Sequence, residues 1–159
     1  MLTGIQYALR AGADIIVSFD ADGQHDPQDI PRIVAPILEG RAEIALGSRF
    51  LGRSEGMPRS RRLLLKAGIL FTWAFSRLRV TDVHNGLRAL SAEGARQLTI
   101  TLDGMAHASE IIDQIRTRSW RFVEVPTTVR YTAYSRAKGQ SAFNSLRIAA
   151  QLILQRWGS

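Results

Sequence analysis

Apolar residues recur at helical spacing at Leu2, Ile5 and Leu9, which predicts a helix over Leu2–Ala11 ended by Gly12. The run Ile15–Phe19 is continuously apolar, the pattern of a strand buried on both faces in a parallel sheet. Asp26 has the character of an N-cap, with Pro27 at the first helical position and Asp29 three residues beyond the cap. The stripe Ile30, Ile33, Val34, Ile37 and Leu38 then predicts a helix that stops at Gly40. Glu43–Leu46 reads as a second short strand, followed by G-S-R-F at Gly47–Phe50. Strand, helix and strand in that order predict an α/β fold with a mostly parallel sheet flanked by helices.

Glycines, a proline and charges make Leu51–Ser60 a loop. Arg61–Leu78 is apolar nearly all round with basic residues at both ends, which fits either a core helix or one lying in a membrane interface. Thr81–Arg88 carries a turn at Asn85-Gly86. Ser91 caps a short helix through Leu98, and Met105–Arg118 forms a longer one with Ala108, Ile111, Ile112 and Ile115 inward. Trp120–Val125 reads as a strand closed by Pro126, with Thr128–Tyr131 extending it or pairing nearby. Tyr134–Ser141 is a basic loop, and Phe143–Trp157 a final helix.

The 159 residues suit one domain spanning 1–159, with 45% hydrophobic and 22% charged residues in the ordinary globular range. A net charge of +7 changes the picture more, because it points to an anionic partner. Nucleic acid, an acidic membrane surface and phosphorylated small molecules all fit that sign, but no nucleic-acid-binding motif is present. Absence of cysteine excludes disulfides, thiolate metal sites and a cysteine nucleophile. No stretch reaches the roughly 20 apolar residues of a membrane span, and the first residues do not resemble a signal peptide. The expectation is a soluble or peripheral protein.

Candidate chemistry centres on Asp20 and Asp22, which end the first strand in F-D-A-D-G-Q-H-D-P. Residues two apart in an extended chain project to the same side, so both carboxylates face one site at the carboxyl end of a strand, where α/β proteins bind ligands. The pair suits a hard divalent cation and the phosphate oxygens that accompany it. An EF-hand loop from Asp20 fails, because its sixth and twelfth positions hold His25 and Pro31. Two further readings are a solvated turn and the first motif of a haloacid-dehalogenase-like phosphatase, with Asp20 as nucleophile and Asp22 as acid/base. The latter motif normally continues with Thr, where this chain has Gln24.

Taken with G-S-R-F, D-V-H-N-G-L-R and Y-S-R-A-K-G-Q-S in that order, the Asp segment resembles the family 2 glycosyltransferases. It is most similar to the polyprenyl-phosphate sugar transferases of the dolichyl-phosphate mannosyltransferase type. The resemblance implies a GT-A fold, a nucleotide-diphosphate sugar donor, a divalent metal (Mg²⁺ or Mn²⁺) and inversion at the anomeric carbon. Carried over by position, Asp20 and Asp22 hold the metal against the donor pyrophosphate and Gln24 adds a ligand. Arg49 faces phosphate, and Asp82, Asn85 and Arg88 form the acceptor side, with Asp82 and Glu110 the candidate catalytic carboxylates. Arg136, Lys138 and Ser141 match a loop that closes over phosphates. The family's opening strand–helix units, which hold the base and ribose, have no counterpart here. The expectations are therefore an N-terminally truncated catalytic domain, self-association through exposed sheet edges, and, as one alternative, an inactive remnant.

The acceptor implied is a polyprenyl phosphate or a glycan. A phosphate monoester is largely dianionic above a second pKa of about 6 and needs little help from a base, whereas a sugar hydroxyl needs one within hydrogen-bond reach. Abundant arginine beside only two base candidates tilts the choice toward phosphate. The resemblance further implies a cytoplasmic enzyme, peripheral on the inner membrane face. His25 and His84 read as hydrogen-bonded loop residues and His107 as a helix residue, since the three share no metal-ligand spacing. Trp120 and Phe122 read as strand core, and Trp73 as core or an interfacial anchor.

Overall fold

The computed structural model describes residues 1–101 and 106–132. The predicted loop at Tyr134–Ser141, with Arg136, Lys138 and Ser141, and the predicted helix at Phe143–Trp157 lie outside the described residues.

Among the described residues four strands form one sheet: β1 (Ile15–Ser18), β2 (Ile44–Glu55), β3 (Arg88–Ser91) and β4 (Phe122–Arg130), in the order β1-β3-β2-β4. β1 and β2 run the same way, as the strand–helix–strand pattern predicts, but they are not neighbours. β3 lies between them, antiparallel to both, while β4 is parallel to β2. Three strands thus share one direction, and a short reversed strand is inserted among them. Nothing in R-A-L-S announces that strand; its partners on both sides make it one, since each buried amide and carbonyl needs a hydrogen bond.

Helices cover both faces, which explains why β2 opens with an unbroken apolar run. Ile44 and Leu46 point to one side, with α1 (Leu2–Arg10), α4 (Ala92–Gln97) and α5 (Ala106–Thr117) supplying Ile5, Ala95, Ile111, Ile112 and Ile115. Ala45 and Ala89 point to the other, against Ile33 of α2 (Ile30–Leu38). The expected inward stripe of α5 is buried, Ala108 included. Trp120 joins the core and Phe122 packs against it. α3 (Arg59–Ser76) packs on α5, and ends at Arg77 in the left-handed region.

Two expectations change. The segment Leu51–Ser60 is not all loop, because β2 continues to Glu55 and pairs Arg53, Ser54 and Glu55 with Thr128, Val129 and Arg130. Likewise β4 does not close at Pro126 but runs through it. Proline lacks the amide a ladder needs, and it sits where the register breaks between Ser48 and Arg53, on a strand paired on one side in this sheet. Gly52 fills that irregularity, and a Cβ there would lie 2.3 Å from the Thr127 carbonyl oxygen. The helix start is also more elaborate than a cap. The Asp26 carboxylate accepts the Gln28 amide at 3.0 Å, a 3-10 turn over Pro27–Asp29 follows, and buried Asp29 accepts the Thr128 amide at 2.7 Å.

The Ser91 hydroxyl accepts the Gly94 amide at 3.1 Å at the start of α4. Ser91→Ala is expected to cost about 1 kcal/mol, read as a lower urea midpoint at unchanged slope. Gly52→Ala is expected to cost more, because the atoms its Cβ meets are backbone.

Candidate active site

The strand ends β1 and β2 and the start of β3 meet at one edge of the sheet, and the turn between residues 81 and 88 fills the gap between them. Asp20 lies just past β1, with its side chain 67% exposed. It rests directly on Gly86: a Cβ there would stand 1.9 Å from Asp20 Oδ2. The Ser18 hydroxyl donates to the Gly86 carbonyl at 2.9 Å, so the β1 end and the Asn85-Gly86 turn form one unit. Asp22 Oδ1 accepts the Gln24 amide at 3.0 Å, closing a turn that Gly23 completes at φ +78°. The Arg130 amide donates to the Gln24 carbonyl at 2.8 Å, which ties this turn to β4.

Behind the carboxylates sits a buried charge pair. Arg49 donates to Asp82 Oδ2 twice, from Nε at 2.6 Å and from its backbone amide at 3.0 Å. Its remaining nitrogens donate to the Tyr131 hydroxyl at 2.6 Å and to the His84 carbonyl at 2.7 Å. Burial works against the charge on Arg49, but Asp82 and Tyr131 more than offset it, and its pKa is raised. Asn85 is buried and bridges the same group: its amide donates to Thr127 Oγ1 at 3.0 Å and its carbonyl accepts the Leu87 amide at 3.1 Å. Gly47 leaves room for this, since a Cβ would come 2.8 Å from the Leu87 carbonyl oxygen. Arg88 is buried with one guanidinium nitrogen on the Val83 carbonyl at 3.1 Å. Its burial lowers the pKa to about 10, with Asp82 and Asp20 pulling the other way, so it stays cationic at neutral pH.

The site turn is clamped from β4. Glu124 accepts the Thr81 amide at 2.7 Å, the Thr81 hydroxyl at 2.8 Å and the Asp82 amide at 3.2 Å. On the α3 side, Gly68 faces the His84 ring, and Arg61 lies over the Tyr131 ring at 5.9 Å. Burial pushes His84 down to about 4, Asp82 opposes this, and Arg88, Arg49 and Arg61 add to it. His25 is buried too, with Nε2 4.0 Å from Asp20 Oδ2. Burial holds its pKa below the usual 6.5 despite Asp20. Both imidazoles are neutral at pH 7.

The structure thus brings Asp20, Arg49, Asp82, Asn85 and Arg88 together. Asn85 and Arg49 direct their side chains to protein partners, which differs from the expectation that they face substrate. Glu110 accepts the Thr101 amide at 2.9 Å and its hydroxyl at 2.7 Å, a link that fastens the segment ahead of α5. Sequence reasoning missed Glu124, Tyr131, Arg61 and the inward turn of His84. Only Glu124 left a signal, as a lone carboxylate in the apolar strand F-V-E-V. Among the described residues no group of three or more His, Cys, Asp or Glu side chains is arranged to hold a metal ion.

Residues 1–98 match the family described as Glycosyl transferase family 2, and the chain belongs to that family. It is 35% identical to an uncharacterized protein of Methanocaldococcus jannaschii, over 97% of this chain and 65% of that protein. It is 32% identical to the UDP-N-acetylglucosamine–dolichyl-phosphate N-acetylglucosaminyltransferase of Methanococcus voltae, over 99% of this chain and 64% of that enzyme. To the undecaprenyl-phosphate mannosyltransferase of Micrococcus luteus it is 28% identical, over 99% and 65%. The chain therefore spans just under two thirds of the length of these curated relatives.

His84 binds fewer protons folded than unfolded between its ordinary 6.5 and about 4. Its contribution to stability is complete above 6.5 and is lost as the pH falls toward 4, by up to about 3 kcal/mol. Denaturant midpoints should fall from pH 6.5 to 4.5, and His84→Gln should flatten that slope.

Proposed function

We propose that this chain carries the metal-binding and acceptor side of an inverting glycosyltransferase that moves a sugar from a nucleotide-diphosphate donor to a polyprenyl phosphate. The observation that carries the acceptor choice is the commitment of Asp82. Its Oδ2 already takes two Arg49 donors, and Glu110 is spent on Thr101. A hydroxyl acceptor would need one of these carboxylates as base. A phosphate monoester brings its own charged nucleophile, and the guanidinium groups of Arg49, Arg61 and Arg88 around His84 favour an anion there.

The residues fit a divalent cation. Asp20, Asp22 and Gln24 offer only oxygen ligands from their side-chain carbonyl and carboxylate groups, the kind Mg²⁺ and Mn²⁺ prefer. Such ions are commonly held by one or two carboxylates with substrate phosphates completing the shell, so a two-carboxylate site needs no third acid. A bound cation would neutralise the charge that grows on the departing diphosphate. The chain's own part is positional. Gly86 fixes Asp20, Glu124 and Arg49 fix the turn bearing Asp82, and the buried Arg88 keeps positive charge behind the acceptor oxygen. That oxygen bonds to the anomeric carbon from the face opposite the diphosphate, which leaves with the bonding pair. By resemblance, Arg136, Lys138 and Ser141 close over the phosphates. Membership of the family gives the phosphatase reading no support.

Transfer of labelled sugar to a short polyprenyl phosphate tests this. With Mn²⁺ present, product is expected; chelation should abolish it, and Asp20→Asn should lower it on the order of 10²-fold. Metal-independent transfer, or full activity in Asp20→Asn, would contradict the reading.

A further inference from the structure

Between Asp20 and Pro27 His25 is the only buried residue, and the proposed reaction gives it no task. The turn at Gly23, with φ +78°, doubles the chain back on itself. The imidazole Nε2 thereby comes to 4.0 Å from Asp20 Oδ2, five residues earlier, with the ring side chain only 4% exposed. Its backbone is pinned from β4: the Arg130 amide donates to the Gln24 carbonyl at 2.8 Å, and His25 itself bridges Val129. The Phe19 ring lies 5.9 Å from the imidazole, tilted by 55°. Backbone and packing thus fix the ring. Among the described residues its buried Nδ1 has no hydrogen-bond partner.

A buried nitrogen without a partner costs free energy that an apolar side chain in the same place avoids. Packing beside Phe19 needs no nitrogen, so Leu or Phe would serve the core better. Direct ligation of a cation is poorly served too, since the ring is almost closed to solvent and a hard ion prefers oxygen. The neutral imidazole carries one N–H, and its proton belongs on the nitrogen that faces an acceptor. Nδ1 faces none among the described residues, whereas Nε2 faces Asp20. We propose that His25 is a positioning residue: its Nε2–H donates to Asp20 Oδ2 and fixes the rotation of that carboxylate, leaving Oδ1 for the cation. A gap of 4.0 Å is longer than a hydrogen bond, and the partner with room to close it is the exposed Asp20, not the wedged ring. Hydrogen bonds of this kind are often long before ligands arrive. Oδ2 is also the oxygen nearest Gly86, so both neighbours act on the same atom. Carboxylates that ligate metals are themselves hydrogen-bonded, and those outer partners tune affinity. This role presupposes that Asp20 ligates the cation proposed for it.

Titration of the full chain with Mn²⁺, read by loss of the free ion's paramagnetic resonance signal, tests this without any turnover. Wild type is expected to bind and Asp20→Asn to bind no longer. His25→Phe fills the space beside Phe19 without a donor, and should weaken Mn²⁺ binding roughly 10- to 100-fold. His25→Gln keeps an N–H donor at a similar reach from the backbone and should stay close to wild type. Urea midpoints separate positioning from packing: His25→Phe should keep or raise the midpoint while His25→Gln lowers it, so affinity and stability move in opposite directions. Should His25→Phe not fold, His25→Leu carries the same comparison. With Asp20→Asn unable to bind, wild-type affinity in His25→Phe, or an equal loss in His25→Phe and His25→Gln, overturns the role of His25 and leaves the metal reading standing. Absence of Mn²⁺ binding by the wild-type chain overturns both.

Discussion

The buried pair between Arg49 and Asp82 is the constraint on which the rest of the site depends. One guanidinium reaches Asp82, the carbonyl of His84 and the hydroxyl of Tyr131, and so ties β2, the 81–88 turn and the residue just past β4 into one block. Such a pair adds little net stability, because taking both charges from water offsets their attraction, but breaking it leaves an uncompensated buried charge at about 3–5 kcal/mol. The consequence is geometric. The 81–88 turn is tied to β2 and β4, and Gly86 within it lies directly against the Asp20 carboxylate. The exposed carboxylate is placed by a buried cation it never touches.

Glycines and a lone glutamate make that placement feasible. Gly47 lets Asn85 enter the sheet edge, and Gly86 leaves the space that the Asp20 carboxylate occupies. Glu124 holds the first two residues of the turn from a strand that is otherwise apolar. Burial keeps His84 and His25 neutral, so the positive charge of the cluster comes from guanidinium groups and does not change over the physiological pH range.

What the sequence revealed and what it hid divide along physical lines. Local signals were legible: the Ser91 cap and the inward stripe of α5 stand as read, and a strand does precede Asp20, although it is half-buried and pairs antiparallel with β3 where the apolar run predicts a strand buried in a parallel sheet. Non-local pairing was not. β3 is a strand only because β1 and β2 flank it, and the polar half of β2 is extended only because β4 lies beside it. The same limit governed the site. The identities of Arg49, Asp82 and Asn85 pointed to the right place, but whether a polar side chain faces ligand or protein depends on partners from distant segments. Thr127, Tyr131 and Glu124 are those partners, and each is more than 40 residues from the residue it holds.

Under the proposed reading, with Asp82 and Glu110 both hydrogen-bonded to protein partners, the nucleophile is expected to carry its own charge. The acceptor is where this becomes observable. Transfer to a polyprenyl phosphate should be compared with transfer to the polyprenol of the same length, under identical donor and metal. Product from the phosphate and none from the alcohol is the predicted result; transfer to the alcohol at a comparable rate would mean that a base is available and would contradict the phosphate-acceptor reading.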